Sequence, residues 1–351
     1  MKKFLAWFMV WGLLLACALD AQAMEQASAA PKHNVQHMQI MTKSSEGIII
    51  ADTWQDIQQK HTRIDIVEYV LADEAVKAVN QHRSVVLYQK EKMFEVSRSQ
   101  GKEEEFNRDI LDPYNIRNNK NRLFEATVRW YNGARWERTG TTMFNGRQVN
   151  ALKRLYKTGD GLTAVNVGYV DPNTGLPIKE EYYFGESSTP TITKMYVFEE
   201  IDDPEGVLFT SAASSLLEKD AADWLCVAFD AVMPLDDALN SKMKYIACDV
   251  GDLPGLDAAA KNQVFRYFEK YKTRTLEASL EELREKGMFN PDTKVLDGPL
   301  LRVYKVRISD QKAVLYTSKY ASSEGAIGVA VTLEWLGGKW QATNSALVWV
   351  S

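Results

Sequence analysis

Histidine and cysteine carry most nucleophilic, acid–base and metal chemistry in proteins, and this chain has four of the first and three of the second. All four histidines fall between His33 and His82, and no HExxH pairing occurs. His33 and His37 stand four apart, a spacing that puts two ligands on one face of a helix. Pro31 precedes them and no third Cys, His or acid follows in register, so they read as part of a solvated tail with no metal bound. No G-x-S-x-G, P-loop or G-x-G-x-x-G occurs in a strand–turn–helix context, and Gly159-Asp160-Gly161 sits in a hairpin. Carboxylates cluster at Glu199-Glu200, Asp202-Asp203 and Asp236-Asp237. Neighbouring acids on a strand point to opposite faces and make a poor acid–base couple, so these read as solvated sheet and turn residues. The residues predict no catalytic site, no metal and no cofactor.

Cys17 and the pair Cys226 and Cys248 take their meaning from the N-terminus. Met1-Lys2-Lys3 is a basic head, Phe4 to Leu15 is apolar, and Ala21-Gln22-Ala23 has the small-x-small form that signal peptidase reads. About a dozen apolar residues fall short of the ~20 needed to span a bilayer. Residues 1–23 therefore read as a signal peptide. Leu14-Leu15-Ala16-Cys17 offers a second reading, a lipobox in which Cys17 carries the anchor of a lipoprotein. Either way the chain is exported: periplasmic, extracellular or membrane-anchored at a bacterial envelope. Export permits a Cys226–Cys248 disulfide, worth ~3 kcal/mol for a loop of ~20 residues. Two buried thiols are the equal alternative.

The chain of 351 residues is long enough for two domains, and its 45% apolar content excludes global disorder. Its net charge of −5 argues against general nucleic-acid binding. That sum hides a split. Between Asn107 and Lys157 eleven basic residues meet four acids, and between Glu199 and Asp257 fourteen acids meet three lysines. Arg129, Arg135, Arg138, Arg147 and Arg154 are candidates to contact an anionic surface, such as phospholipid headgroups or wall polymer. Mutual neutralisation of the two blocks within the fold is the other reading.

The elements follow from periodicity. Residues 24–46 read as a flexible leader, Thr53 onward as helical, and Val85–Tyr88 and Met93–Ser97 as strands. Residues 101–122 read as a long polar loop. Phe124, Ala126, Val128 and Trp130 alternate with polar residues and predict a strand, turned at Asn132-Gly133. Asn145-Gly146, Asp160-Gly161 and Asp171–Gly175 then punctuate an antiparallel meander through Ile178–Phe184 and Ile192–Phe198. Helices are predicted at Ser214–Ala231, Leu256–Tyr271 and Leu276–Lys286, with Ser279 and Glu282 as a capping box. A strand at Lys244–Val250 and four more at 300–308, 312–320, 326–335 and 339–350 complete the pattern.

Trp130-Tyr131-Asn132-Gly133, Phe144-Asn145-Gly146, Asp171-Pro172-Asn173-Thr174-Gly175-Leu176-Pro177 and the acidic Asp202-Asp203-Pro204 ahead of Phe209 resemble the LolA-like, lipoprotein-sorting carrier superfamily over about 46–212. The resemblance implies a curved antiparallel sheet wrapped around helices, holding an acyl lipid, a lipoprotein-like ligand or a protein partner. Trp130, Tyr182, Phe184, Tyr196 and Phe198 are the candidates to line its cavity, and a filled core is the competing use for them. The segment from Leu280-Glu281-Glu282-Leu283 through Ser318-Lys319-Tyr320, Gly325–Gly328 and Trp349-Val350-Ser351 resembles a small domain appended to exported Gram-positive proteins and some zinc-peptidase antirepressors. The expected fold is therefore α+β: a LolA-like sheet domain at 47–212, an acidic connector at 213–255, and a smaller domain at 256–351 with helices on a four-stranded antiparallel sheet. The expected function is a non-enzymatic lipid-binding protein of the envelope. The alternative is an envelope sensor or regulatory module binding a protein or cell-wall polymer.

Overall fold

A computed structural model describes residues 34–351, apart from 73–74, 90–91, 101–121, 160, 218–220, 252 and 310. The expected signal peptide, Cys17, His33 and nearly all of the expected polar loop lie outside the described residues. Five strands open the described chain: β1 (Val35–Lys43), β2 (Ile48–Asp56), β3 (His61–Ala72), β4 (Ala75–Gln89) and β5 (Lys92–Gln100), each antiparallel to the next. Helix α1 (Leu123–Tyr131) follows, then a meander of β6 (Glu137–Phe144), β7 (Arg147–Lys157), β8 (Thr163–Val170), β9 (Pro177–Phe184) and β10 (Ile192–Ile201). Strand β10 returns to pair with β1, which closes the first ten strands into one ladder.

The second half contains α2 (Val207–Leu217), α3 (Ala221–Val232), β11 (Tyr245–Asp249), α4 (Ala258–Phe268), β12 (Arg274–Glu277), α5 (Leu280–Glu285), β13 (Phe289–Asn290), β14 (Val295–Ser309), β15 (Lys312–Ser322), β16 (Gly325–Leu336) and β17 (Lys339–Val350). Strands β14 to β17 form an antiparallel meander. The four strands expected there are present. The Ser279–Glu282 capping box on α5 is present too.

The expected pair of separate α+β units is not what forms. All seventeen strands belong to one mixed sheet. Strand β14 is fifteen residues long, so it serves β13, β11 and β5 in succession besides its pairing with β15. The join is parallel: Lys305–Ile308 runs beside Glu95–Arg98. Lys305 Nζ reaches Glu95 Oε2 at 2.9 Å across it, and Val96 and Val306 are buried there. A parallel pairing between segments 210 residues apart leaves no local signal, because the turn residues that reveal hairpins are absent from it.

Three further expectations change. Residues 35–43 are not leader but β1, set between β2 and β10 with Val35, Met38 and Ile40 buried. The segment after Thr53 is strand, not helix. Leu123–Tyr131 is helix, not strand. Its buried residues Leu123, Ala126, Thr127 and Tyr131 follow the helical spacing, which the alternation of Phe124, Ala126, Val128 and Trp130 masks. Asn132-Gly133 ends that helix: the Asn132 N–H bonds the Val128 carbonyl.

Opposite faces of the first ladder are covered by different helices. Helix α1 lies on the face of Met38, Ile40 and Tyr196. Helix α2 packs on the other face, over β3–β5, in a main core that includes Val35, Val85, Leu87 and Val96 and continues over β14–β16, where α3 and α4 pack. Asp203, expected as a solvated acid, N-caps α2 by accepting from Val207 and Leu208 N–H at 2.9 and 2.8 Å. Phe209 is fully buried beneath it.

Candidate functional site

The α1 side of β7–β10 carries the residues that the sequence singles out. Register places Arg154, Asn166 and Tyr182 on one cross-strand row, and Tyr156, Ala164 and Phe184 on the next. Leu152, Gly168, Glu180 and Lys194 form a third row. Side chains two apart on a strand share a face, so these rows make one continuous surface.

Glu180 is buried at its centre. Its Oε2 accepts from the Tyr131 hydroxyl at 2.9 Å and from the Tyr196 hydroxyl at 3.0 Å, and its Oε1 accepts from Asn166 Nδ2 at 2.9 Å. The Tyr131 and Tyr196 hydroxyls are also 3.0 Å apart. Gly168 makes room for this arrangement, since a Cβ there would stand 3.1 Å from the Tyr131 ring and 3.3 Å from that of Trp136. Neutral donors thus hold a buried carboxylate, an arrangement that fixes α1 on the sheet.

Asn166 is 2% exposed, and its Oδ1 has no hydrogen-bond donor among the described residues. The amide cannot be reversed to relieve this, because Oδ1 would then face the Glu180 carboxylate. An unmet buried acceptor costs about 1–3 kcal/mol. Its row neighbour Arg154 stacks its guanidinium over the Trp130 and Tyr156 rings, 5.1 Å from each centroid, and has no carboxylate partner among the described residues. Trp130 is 39% exposed, and Tyr156, Tyr182 and Phe184 are half-buried. An acceptor, a five-donor cation and half-open rings therefore lie along one row and its borders. Arg154 and the rings suit a group that accepts from a guanidinium next to apolar matter, while the Asn166 acceptor is enclosed.

The five proposed cavity residues divide. Tyr196 and Phe198 pack with Met38, Ile40, Leu123, Phe124 and Ala126, with Phe124 edge-on to Phe198 at 5.3 Å. They are core. Trp130, Tyr182 and Phe184 border the open part, Trp130 reaching it from the helix. Sequence patterning does not single out Asn166, Glu180 or Tyr131. Asn166 does leave one trace: in Thr163–Val170 it is the polar member of an inward set otherwise made of Ala164, Gly168 and Val170. A gap between the sheet and α2–α3, lined by Phe94, Leu217, Trp224, Leu225 and Val303, has about 10 Å³ of room, no more than one water needs.

Of the five arginines, Arg129, Arg135, Arg138 and Arg147 are exposed, and Arg154 is half-buried. Arg138 Nη2 donates to Asn150 Oδ1 at 2.5 Å. On the far side of the sheet, Glu181 accepts from Tyr169 and Tyr183 at 2.9 and 3.0 Å and pairs with Lys179 at 2.6 Å. Burial pushes the Tyr169 hydroxyl up to about 12, helped by Glu181.

His37 is no tail residue. It stacks on Trp54 at 4.7 Å, with Nε2 2.9 Å from Asp52 Oδ1 and Nδ1 3.1 Å from Glu199 Oε2. Burial works to lower its pKa, but the bonds to Asp52 and Glu199 outweigh it and leave it raised. Both nitrogens then act as donors, which rules out metal ligation while the imidazolium persists. No group of three or more His, Cys, Asp or Glu is arranged to hold a metal among the described residues. Cys226 and Cys248 are free and buried. Burial, then Asp223, pushes the Cys226 thiol up to about 12, and burial raises Cys248 likewise. Neither is an activated nucleophile.

No protein-family model matches the chain, and no curated protein does. Several solved structures show a distant likeness. An uncharacterized conserved protein of Thermus thermophilus aligns with a TM-score of 0.27 at 9% identity, over 50% of this chain and 84% of the other. The MucA/MucB complex of Pseudomonas aeruginosa aligns with a TM-score of 0.26 at 11% identity, over 50% of this chain and 56% of the other. A LolA superfamily protein of Nitrosomonas europaea gives a TM-score of 0.20 at 7% identity, over 51% and 91%. Scores this low carry no argument about function.

Proposed function

We propose that the protein is an exported, non-enzymatic binding module of the bacterial envelope. It holds an anionic, acyl-lipid-like amphiphile on the half-open aromatic surface of Trp130, Tyr156, Tyr182 and Phe184. Arg154 takes the phosphoryl or carboxylate oxygens of the head group, and the rings beside it take the adjoining apolar part. A half-buried Arg154 stacked on the Trp130 and Tyr156 rings, without a carboxylate partner among the described residues, is the observation that carries this reading. Export rests on the basic-apolar-small pattern of residues 1–23.

Short-chain dihexanoyl phosphatidylglycerol, used below its micelle concentration, supplies an anionic phosphoryl head group. Calorimetric titration of the chain without residues 1–23 should show binding of this lipid and at least tenfold weaker binding of dihexanoyl phosphatidylcholine. Arg154→Glu should weaken binding at least tenfold, as expected for a charge-assisted contact. Equal affinity for the two lipids, or a full-strength Arg154→Glu variant, would refute the proposal. A second reading, recognition of an envelope protein, is favoured by the packing of Tyr196 and Phe198 into the α1 core, which turns binding toward open surface.

A further inference from the structure

Strand β6 pairs with β7 on one side and with no other described strand. Every residue from Glu137 to Met143 is exposed, Met143 at 65%. The turn to β7 fixes which main-chain groups face outward. Asn145 and Gly146 have φ of 48° and 76°, the two positive values of a type I′ hairpin turn. In such a turn the flanking pair, Phe144 and Arg147, exchanges both ladder hydrogen bonds. Alternation then directs Thr142 toward β7, and leaves the N–H and C=O of Thr141 and Met143 facing away from the sheet.

The outward stretch from Thr139 to Gly146 carries no charge, but cations surround it. Arg135 precedes the strand, Arg138 lies on it, and Arg147 and Lys153 lie on its neighbour. All four are exposed, and none is in an ion pair among the described residues. Register puts Arg138 on the α1 side with Leu152, while Arg147 and Lys153 face the opposite side. An incoming strand would therefore meet positive charge on both of its faces. A second copy of β6 would bring like charges together, and a membrane has no main-chain groups to offer.

We propose that β6 is a docking edge for an acidic, extended segment of a partner polypeptide, which adds to the sheet as a further strand. Main-chain bonds to Thr141 and Met143 supply the pairing, and the four cations select an acidic sequence. The same arginines guard the edge against self-association. This edge adjoins the lipid surface through Arg138, which pairs with Leu152, but neither proposal depends on the other.

The probe is an N-acetylated decapeptide of alternating glutamate and valine, with an alternating lysine–valine peptide as control. Fluorescence anisotropy should show that the acidic peptide binds, weakens with added salt, and binds at least tenfold more tightly than the basic one. The double variant Thr141→Pro/Met143→Pro removes two outward N–H groups and no ladder bond, so the sheet keeps its pairing and peptide affinity should fall at least tenfold. A glutamate–valine peptide N-methylated at alternate residues keeps its charge but cannot pair. It should lose affinity equally, and this arm uses the unaltered protein. No binding of the acidic peptide overturns the proposal. So does undiminished binding by the proline variant or the methylated peptide, which would reduce the surface to unspecific charge. A dimer that dissociates in the proline variant would assign the edge to a second copy and also overturn it.

Discussion

Lys319 is wholly buried, and its ammonium donates to the carbonyls of Met233 and Leu235 at 2.8 Å each and of Asp236 at 3.2 Å. Three donors meet three carbonyls where α3 ends, so the lysine does for that helix what a C-cap motif does elsewhere. Burial holds its pKa down at about 8, against the pull of Asp236 and Asp237. An unfolded lysine titrates near 10.5. Between those values the unfolded chain binds more protons, so this group makes stability rise with pH from about 8 to about 10.5. Below pH 8 the cost of the buried charge is present in full, on the order of 3 kcal/mol. Lys319→Met removes the titration and leaves a constant penalty for unmet carbonyls. Denaturant unfolding at about pH 7.5 and about pH 10 should therefore show the wild type gaining on the variant as pH rises. A gap that does not change with pH would mean that Lys319 stays charged in the fold across this range and is not held down by burial. Nothing in the sequence marks this role, because a lysine on an alternating strand reads as solvated. Asp203 is similar: its carboxylate is visible as one of an acidic run, while the α2 N–H groups it caps are not.

At the scale of elements, helix α1 shows why alternation misleads. Its N-terminal N–H groups are met from other strands: Gln55 Oε1 accepts from Leu123 at 2.7 Å and Gln36 Oε1 from Phe124 at 3.1 Å, while the Arg122 side chain at the N-cap caps none of them and pairs with Glu125 instead. Caps supplied from 68 and 88 residues away cannot be read locally, whereas Ser279 and Glu282, three apart, are legible at once. Hairpins behave like the capping box. Asn145-Gly146 and Asp171–Gly175 mark true turns because the backbone itself demands those residues. Leu123 is fully buried between α1 and Met38, Ile40 and Tyr196. Leu123→Ala should cost about 2–5 kcal/mol in urea unfolding. It should also weaken lipid binding, because Trp130 reaches the open surface through the same helix. A variant as stable as wild type would show that α1 is not packed on the sheet in solution.

For the whole molecule, the long strand β14 decides the architecture. Pairing with β5 in parallel and with β15 antiparallel, it joins two meanders that look independent along the chain. The main core crosses the same junction, with Val85 and Val96 in one cluster with Val306, Leu315 and Trp224. Scanning calorimetry should therefore give a single unfolding transition, and two separable transitions would contradict the continuous sheet. The charge split also acquires a physical meaning. Much of the acidic block works inside the fold: Asp203 and Asp257 cap helices, and Asp230 accepts from Tyr267 and Tyr271 and pairs with Lys270 at 2.6 Å. The basic block instead leaves Arg135, Arg138 and Arg147 in solvent. The near-neutral total thus combines structural acids with basic surface.

If Arg154 and the rings around it hold an anionic lipid, the lipid should travel with the protein. Native mass spectrometry of the chain expressed from residue 1 and purified in non-denaturing conditions tests this most directly. The expected result is one phospholipid-sized adduct per chain, anionic on release, and its loss from Arg154→Glu with the fold intact by circular dichroism. Wild-type protein carrying no lipid, or an adduct equally abundant on Arg154→Glu, would contradict it.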